Sequence, residues 1–124
     1  MSRRALMIMG ALALMGGAVY ATGLYYSEVI SASQANTAKS FSDNRSGGSA
    51  AAFDATTVMF SNAGPNTVYI DLRDTTATTA DRVLKAGERF TEEWDPRTGG
   101  DGWSGYGAIC AAGETATVTV WADR

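Results

Sequence analysis

The chain contains no histidine among its 124 residues, and Cys110 is its one cysteine. The absence of histidine removes the side chain that most often serves as a general base or a zinc ligand. A single cysteine excludes a disulfide within the chain. We interpret Cys110 as a small buried apolar residue. An intermolecular disulfide and a reactive thiol are the alternatives.

Basic residues are few and scattered. The chain has 10 Lys and Arg against 13 Asp and Glu, which gives a formal net charge of −3 at pH 7. Proteins that bind nucleic acid normally carry a basic stripe or patch, whereas the one basic pair here is Arg3 and Arg4. We therefore expect no nucleic-acid partner.

Motifs for catalysis and for cofactor binding are also missing. Glu92 and Glu93 are adjacent, and consecutive residues of a strand point to opposite faces, so these two acids cannot share a site. The loop "DPRTGGDG" offers Asp95 and Asp101 as oxygen ligands but lacks the alternating spacing of a calcium loop. The stretch "GGDGWSGYG" lacks the Lys and Ser/Thr of a phosphate-binding loop. We predict no enzymatic activity, no cofactor and no metal.

A long uncharged stretch, "ALMIMGALALMGGAVYATGLYY", covers residues 5–26 directly after Arg3 and Arg4. Roughly 20 apolar residues suffice to cross the hydrocarbon core of a membrane, and Tyr25 and Tyr26 lie where an interfacial aromatic belt would be. We favour a retained apolar helix over residues 1–30 that anchors the protein in a membrane or a protein shell. The alternative is a signal peptide that is cleaved after the Ala21 of "AVYA". The predicted anchor residues are Ala5, Leu6, Ile8, Leu12, Leu14, Val19, Leu24, Tyr25 and Tyr26.

The composition changes twice after this stretch. Residues 31–52 are rich in Ser, Ala, Asn and Gly and have too few large apolar groups to offset the entropy lost on ordering, so they predict a flexible linker. From residue 53 onward, short β-branched and aromatic runs alternate with turn residues, which predicts a small antiparallel β-sandwich, jelly-roll-like, over residues 53–124. The side chains expected inside are Val58, Phe60, Val68, Ile70, Leu72, Phe90, Ile109, Val118 and Val120.

Aromatic side chains near the end of the chain are candidates for contact with a partner. Trp103 and Tyr106 lie in the Gly-rich loop of residues 95–107, and Trp121 is predicted to face outward from the last strand. For the loop residues we favour an interpretation in which both fold back over an undersized core. The alternative is an exposed contact for a protein or a glycan, since aromatic residues dominate interface hot spots.

The β region resembles small β-sandwich proteins of bacteriophage virions. The stretches that carry the resemblance are "TVMFSNAGPNTVYIDL", "LKAGERF" and "YGAICAAGETATVTVWADR". They match a strand with an N-x-G turn at Asn62 and Gly64, a V-Y-I strand, an L-x-A-G-E turn, and a final strand of alternating Ala, Thr and Val. The matching segments are residues 68–70, 84–88 and 108–120.

This resemblance implies a non-enzymatic virion component, such as a capsid decoration, head fibre or spike-base element. Its expected partners are capsid or other virion proteins, in a homo-oligomer or symmetric assembly, and its anchor would suit a virion that contains a membrane. The alternative is a bacterial envelope protein that displays a small β binding module. Capsid and packaging genes beside its own gene would favour the first function, and secretion genes the second.

Overall fold

The computed structural model describes residues 24–45 and 51–124, and this part of the chain is mainly β. Its alternation of apolar and polar residues produces eight strands, and a short 3-10 helix covers Pro96–Thr98. The strands are β1 (Leu24–Ala32), β2 (Thr37–Ser40), β3 (Thr57–Pro65), β4 (Val68–Asp71), β5 (Arg82–Leu84), β6 (Arg89–Glu93), β7 (Gly105–Ile109) and β8 (Ala116–Asp123).

The strands form two antiparallel four-stranded sheets. The first sheet has the order β1-β8-β3-β6 and the second has the order β2-β7-β4-β5. The pairing is nested, because β1 pairs with β8, β2 with β7, β3 with β6, and β4 with β5. Each connection between successive strands therefore crosses from one sheet to the other, except the β4–β5 connection, which stays within the second sheet.

The core lies between the two sheets and is rich in aromatic rings. Phe60 of the first sheet packs edge-on against Tyr106 of the second, with ring centroids 5.4 Å apart. Phe41 lies beside Tyr106 at 5.6 Å and beside Tyr26 at 5.4 Å. These contacts join strands of both sheets to the segment that follows β2, so residues before position 53 complete the core.

Most of the predicted interior residues are buried. Leu72 and Phe90 are half-buried and pack against the core. Ile109 is the exception: it is half-exposed and lies opposite Tyr69 on the outer face, because the inward positions of β7 belong to Tyr106 and Ala108. The confirmed interior residues are Val58, Phe60, Val68, Ile70, Val118 and Val120.

The N-terminal boundary of the β domain differs from the sequence prediction. Residues 24–30, expected to end the apolar helix, form most of β1, and residues 31–45 of the expected linker complete β1, form β2 and lead back towards the core. The physical reason is burial: Tyr26, Ile30 and Phe41 are each less than 5% exposed. Consequently Leu24, Tyr25 and Tyr26 belong to a strand rather than to an anchor helix. The other predicted anchor residues, at positions 5–19, and the linker residues 46–50 lie outside the described residues.

The turn at Ala86 and Gly87 joins strands of different sheets. β5 ends at Leu84 and β6 begins at Arg89, so the two strands flank this turn. They do not pair with each other, since β5 pairs with β4 and β6 pairs with β3. The Gly87 N–H donates to the Asn62 carbonyl at 2.7 Å, which fastens the turn to β3.

Candidate functional site

A cleft of about 300 Å³ opens between the sheets at the edge formed by β5 and β6. Its apolar wall combines core-edge side chains from β4 and β6 with an aromatic ring from the Gly-rich loop, and its rim is charged. The apolar residues are Ile70, Leu72, Phe90 and Trp103, and the charged residues are Asp71, Arg73, Asp81, Arg82 and Glu92.

The charges of the cleft are largely engaged with one another or with the backbone. The Arg82 guanidinium pairs with the Glu92 carboxylate and lies 3.8 Å from the centroid of the Phe90 ring. Asp71 accepts from the Arg73 N–H at 2.8 Å, and Asp81 accepts from the Thr78 N–H at 2.7 Å. These contacts hold the charged side chains of the rim in place. The cleft is therefore suited to bind a ligand by shape and by polar contacts.

Trp103 has two roles in this structure. Its backbone exchanges two hydrogen bonds with Ala55, both at 2.8 Å, and its ring meets Trp94 edge-on with centroids 5.3 Å apart. The ring packs against the core while it also lines the cleft. Trp103 therefore covers one end of the core. Of the three predicted partner-contact residues, it is the one that lines the cleft.

The other two predicted contact residues lie elsewhere. Tyr106 is fully buried on β7, which agrees with the core-covering interpretation and removes it from the surface. Trp121 is half-exposed on β8, opposite Ser27 and Met59 of the neighbouring strands. Trp103 and Trp121 thus belong to separate surfaces, and the three residues do not form one site.

A polar network bridges the two sheets at their opposite edge, which β1 and β2 form. The Tyr26 hydroxyl donates to the Glu28 carboxylate and lies 3.1 Å from the Tyr106 hydroxyl. The Lys39 ammonium of the second sheet lies 2.9 Å from the other Glu28 oxygen. Sequence reasoning missed this network because it placed Tyr26 in a helix and Lys39 in a linker.

Burial and hydrogen bonding shift the pKa values of this network. Burial raises the pKa of Tyr106 to about 12, and burial together with the bond to Glu28 raises the pKa of Tyr26 further. Partial burial acts to raise the pKa of Glu28, but the bonds from Tyr26 and Lys39 outweigh it, and the net direction is downward. Both phenols stay protonated and Glu28 stays charged near neutral pH, which favours a structural role.

Cys110 follows β7 and is buried. Its backbone N–H donates to the Ser33 carbonyl at 2.8 Å, and burial, assisted by the nearby Glu114, raises the pKa of its thiol. A thiol that is both shielded and protonated is a poor nucleophile. Cys110 therefore behaves as the buried apolar residue that the sequence predicts.

Asp95 of the Gly-rich loop stabilises the local structure. Asp95 accepts from the Arg97 N–H at 2.9 Å at the start of the 3-10 helix, and its carboxylate pairs with the Arg97 guanidinium at 3.0 Å. Over residues 24–45 and 51–124, no group of three or more His, Cys, Asp or Glu is placed to hold a metal ion. Within the same ranges, no helix has the length and apolarity needed to span a bilayer.

Comparison of the chain with protein-family models, with curated proteins and with solved structures finds no match.

Proposed function

We propose that this protein is a non-enzymatic structural component of a virion, of the decoration, head-fibre or spike-base kind. The observation that carries the proposal is the nested pairing of β1 with β8, β2 with β7, β3 with β6 and β4 with β5. We infer from it an eight-stranded jelly roll, an architecture that recurs in viral capsid and lectin domains. The resemblance of the β region to virion proteins supports the same function.

The outer face of the first sheet supports a role in assembly. Across β1, β8 and β3, the outward side chains around the centre of the sheet carry no charge, although charged residues make up 19% of the chain. The cores of protein interfaces are likewise depleted in charge. The residues of this face are Ser27, Val29, Ser31, Met59, Ser61, Ala63, Thr117, Thr119 and Trp121.

The proposal includes an N-terminal anchor helix that is shorter than the one predicted from the sequence. Because β1 begins at Leu24, the proposed helix covers residues 5–23, which would be about 28 Å long at 1.5 Å per residue. That length approaches the ~30 Å of a hydrocarbon core. The anchor would then lead into β1 with no residue between them, so the β domain would lie directly against the membrane or shell.

A bacterial envelope protein that displays a binding module is the second candidate function. The cleft lined by Trp103 and Phe90 favours it, since ligand sites are concave and combine apolar walls with a few polar groups. The same fold can serve either function, because function is determined by sites rather than by architecture.

Fractionation of the source culture would test the proposal. Particles purified on a density gradient are probed with an antibody against residues 51–124, and the protein is expected to co-sediment with capsid protein at a constant ratio. Recovery in the cell-envelope fraction, with none in the particles, would support the second candidate instead.

Mass spectrometry of the recovered protein tests whether the N-terminal segment is retained. An intact Met1 or Ser2 means retention, and a mature N-terminus at Thr22 means cleavage.

A further inference from the structure

The free edge of β1 is closed at one end by an asparagine side chain. The Asn44 amide donates to the Ser27 carbonyl at 2.7 Å and accepts from the Ser27 N–H at 3.1 Å. The Asn44 N–H also donates to the Tyr25 carbonyl at 2.9 Å. Asn44 therefore acts as a short substitute for a neighbouring strand over residues 25–27.

Beyond Ser27 the same edge is open. In an antiparallel ladder, both backbone groups of alternate residues point to the same side, so the groups of Val29 and Ser31 point outward like those of Ser27. In the part of the chain that the structure describes, no group bonds to them. At the far end, the Ser33 carbonyl already accepts from the Cys110 N–H at 2.8 Å. The open run is therefore short and centred on Ile30.

The outer face of this edge carries no charged side chain of the kind that discourages edge-to-edge pairing. Its outward side chains are Ser27, Val29 and Ser31, and Val29 is 63% exposed. Glu28 faces the other side of the sheet, where Lys39 and Tyr26 hold it. The edge strands on the opposite side of the two sheets carry more charge, at Arg82 on β5 and at Arg89, Glu92 and Glu93 on β6.

We propose that β1 pairs antiparallel with β1 of a second copy of this chain, about a two-fold axis at Ile30. Val29 of each copy would then lie opposite Ser31 of the other, and four backbone hydrogen bonds would join the first sheets into one sheet of eight strands. The second copy is the occupant that fits, because the donors and acceptors of Val29 and Ser31 are arranged symmetrically about Ile30. This pairing goes beyond the proposed function and holds in a virion or in a cell envelope.

Cross-linking of the full chain tests the geometry directly. Two Ser31 residues would be diagonal neighbours across the axis, about 7–8 Å apart, so Ser31→Cys is expected to give a covalent dimer with a short bismaleimide. Thr91→Cys, on the opposite edge of the same sheet, is the matched control, and the unmodified chain reports any reaction of Cys110. Equal cross-linking of the Ser31 and Thr91 variants would overturn the proposal.

A charge placed at the edge tests the energetics. Val29→Lys would bring two like charges together across the axis and is expected to raise the dimer dissociation constant about tenfold or more, as measured by sedimentation of the full chain in a neutral detergent. Val83→Lys makes the same change at another exposed large apolar residue, on β5, and is expected to leave the constant unchanged. Equal effects of the two variants would contradict the proposal.

Hydrogen exchange tests the same pairing in the unaltered chain, so the result does not depend on whether a variant folds. The amides of Val29 and Ser31 are expected to gain protection as the protein concentration rises, whereas the Ile30 amide, which faces β8, should not change. Protection of Val29 and Ser31 that is independent of concentration would show that another segment of the same chain covers the edge, and the proposal would be wrong.

Discussion

Asn62 is a buried polar residue whose side chain makes three hydrogen bonds. It is 1% exposed on β3, and its amide donates to the Asn66 carbonyl at 2.8 Å and to the Leu84 carbonyl at 2.9 Å. Its Oδ1 accepts from the Gly64 N–H at 2.7 Å. One side chain thus shapes the turn after β3 and fastens the first sheet to β5 of the second.

Asn62→Ala is expected to lower the free energy of unfolding by about 2–4 kcal/mol, since it leaves two carbonyls and one N–H without their partner inside the protein. Urea denaturation followed by tryptophan fluorescence measures the change. Asn66→Ala is the control, because Asn66 makes a single exposed bond to the Thr115 carbonyl at 3.0 Å, and less than about 1 kcal/mol is expected. Similar losses for the two variants would show that burial of the Asn62 bonds adds nothing.

The contribution of Glu28 to stability depends on pH. Because its pKa is lower in the folded protein than in the unfolded chain, its contribution to stability is present above the unfolded value of about 4.3 and is lost as the pH falls through the folded value. Glu28→Gln is therefore expected to be less stable than the unaltered protein at pH 7, and the difference should shrink below pH ~4.

Denaturant unfolding at several pH values from 7 down to 3 measures this difference. Glu93→Gln removes an exposed carboxylate of β6 and is the matched control, with an expected change within about 0.5 kcal/mol. A difference between the Glu28 variant and the unaltered protein that stays constant with pH would mean that the loss comes from packing rather than from charge.

At the scale of elements, β7 depends on the small size of its glycines. A Cβ at Gly107 would lie 2.4 Å from the Thr75 carbonyl oxygen, because the chain that connects β4 to β5 crosses the outer face of β7. Asn36 holds this crossing in place: its amide donates to the Thr75 carbonyl at 2.7 Å and accepts from the Ala77 N–H at 2.8 Å. The glycine at position 107 thus leaves room for the β4–β5 connection to pack directly against the backbone of β7.

Gly107→Ala is expected to cost about 1–3 kcal/mol or more, since the added methyl group must displace backbone. The control is Gly113→Ala in the turn before β8. There a Cβ meets open space and the residue has a φ of +78°, so about 1 kcal/mol is expected from backbone conformation alone. Thermal unfolding by circular dichroism compares them. A smaller loss at Gly107 than at Gly113 would show that the crossing segment moves aside freely.

Some strands can be predicted from the alternation of apolar and polar residues, and others cannot. The strict alternation of Val68 and Ile70 against polar neighbours predicts β4, and the same pattern predicts β8 correctly. Tyr26, Glu28, Ile30 and Ala32 alternate in the same way, yet the uncharged stretch that runs into Tyr26 favoured a helix. The Glu28–Lys39 pair could not be predicted, because it depends on which strands become neighbours across two sheets.

At the scale of the whole molecule, the β domain needs residues that the sequence assigns to the anchor and linker. Residues 24–45 supply β1 and β2 together with the buried rings of Tyr26 and Phe41. A small domain has little stability to spare. A fragment of residues 24–124 is therefore expected to unfold cooperatively with a β-type circular dichroism spectrum, and a fragment of residues 53–124 to be largely unfolded. Cooperative unfolding of the shorter fragment would contradict this prediction.

The neighbouring positions of β1 and β8 determine when the domain can fold during synthesis. The first described strand leaves the ribosome long before its partner exists, since translation of the stretch between Ala32 and Ala116 takes roughly 4–17 s. Through that interval the backbone edges of β1 and β3 that pair with β8 have no partner, and Tyr26 and Ile30 lack their neighbours on β8. The first sheet closes only after the last residues have emerged. A chain that stops before residue 116 therefore lacks β8 and leaves β1 without a partner in the sheet, so that only β3 and β6 remain paired.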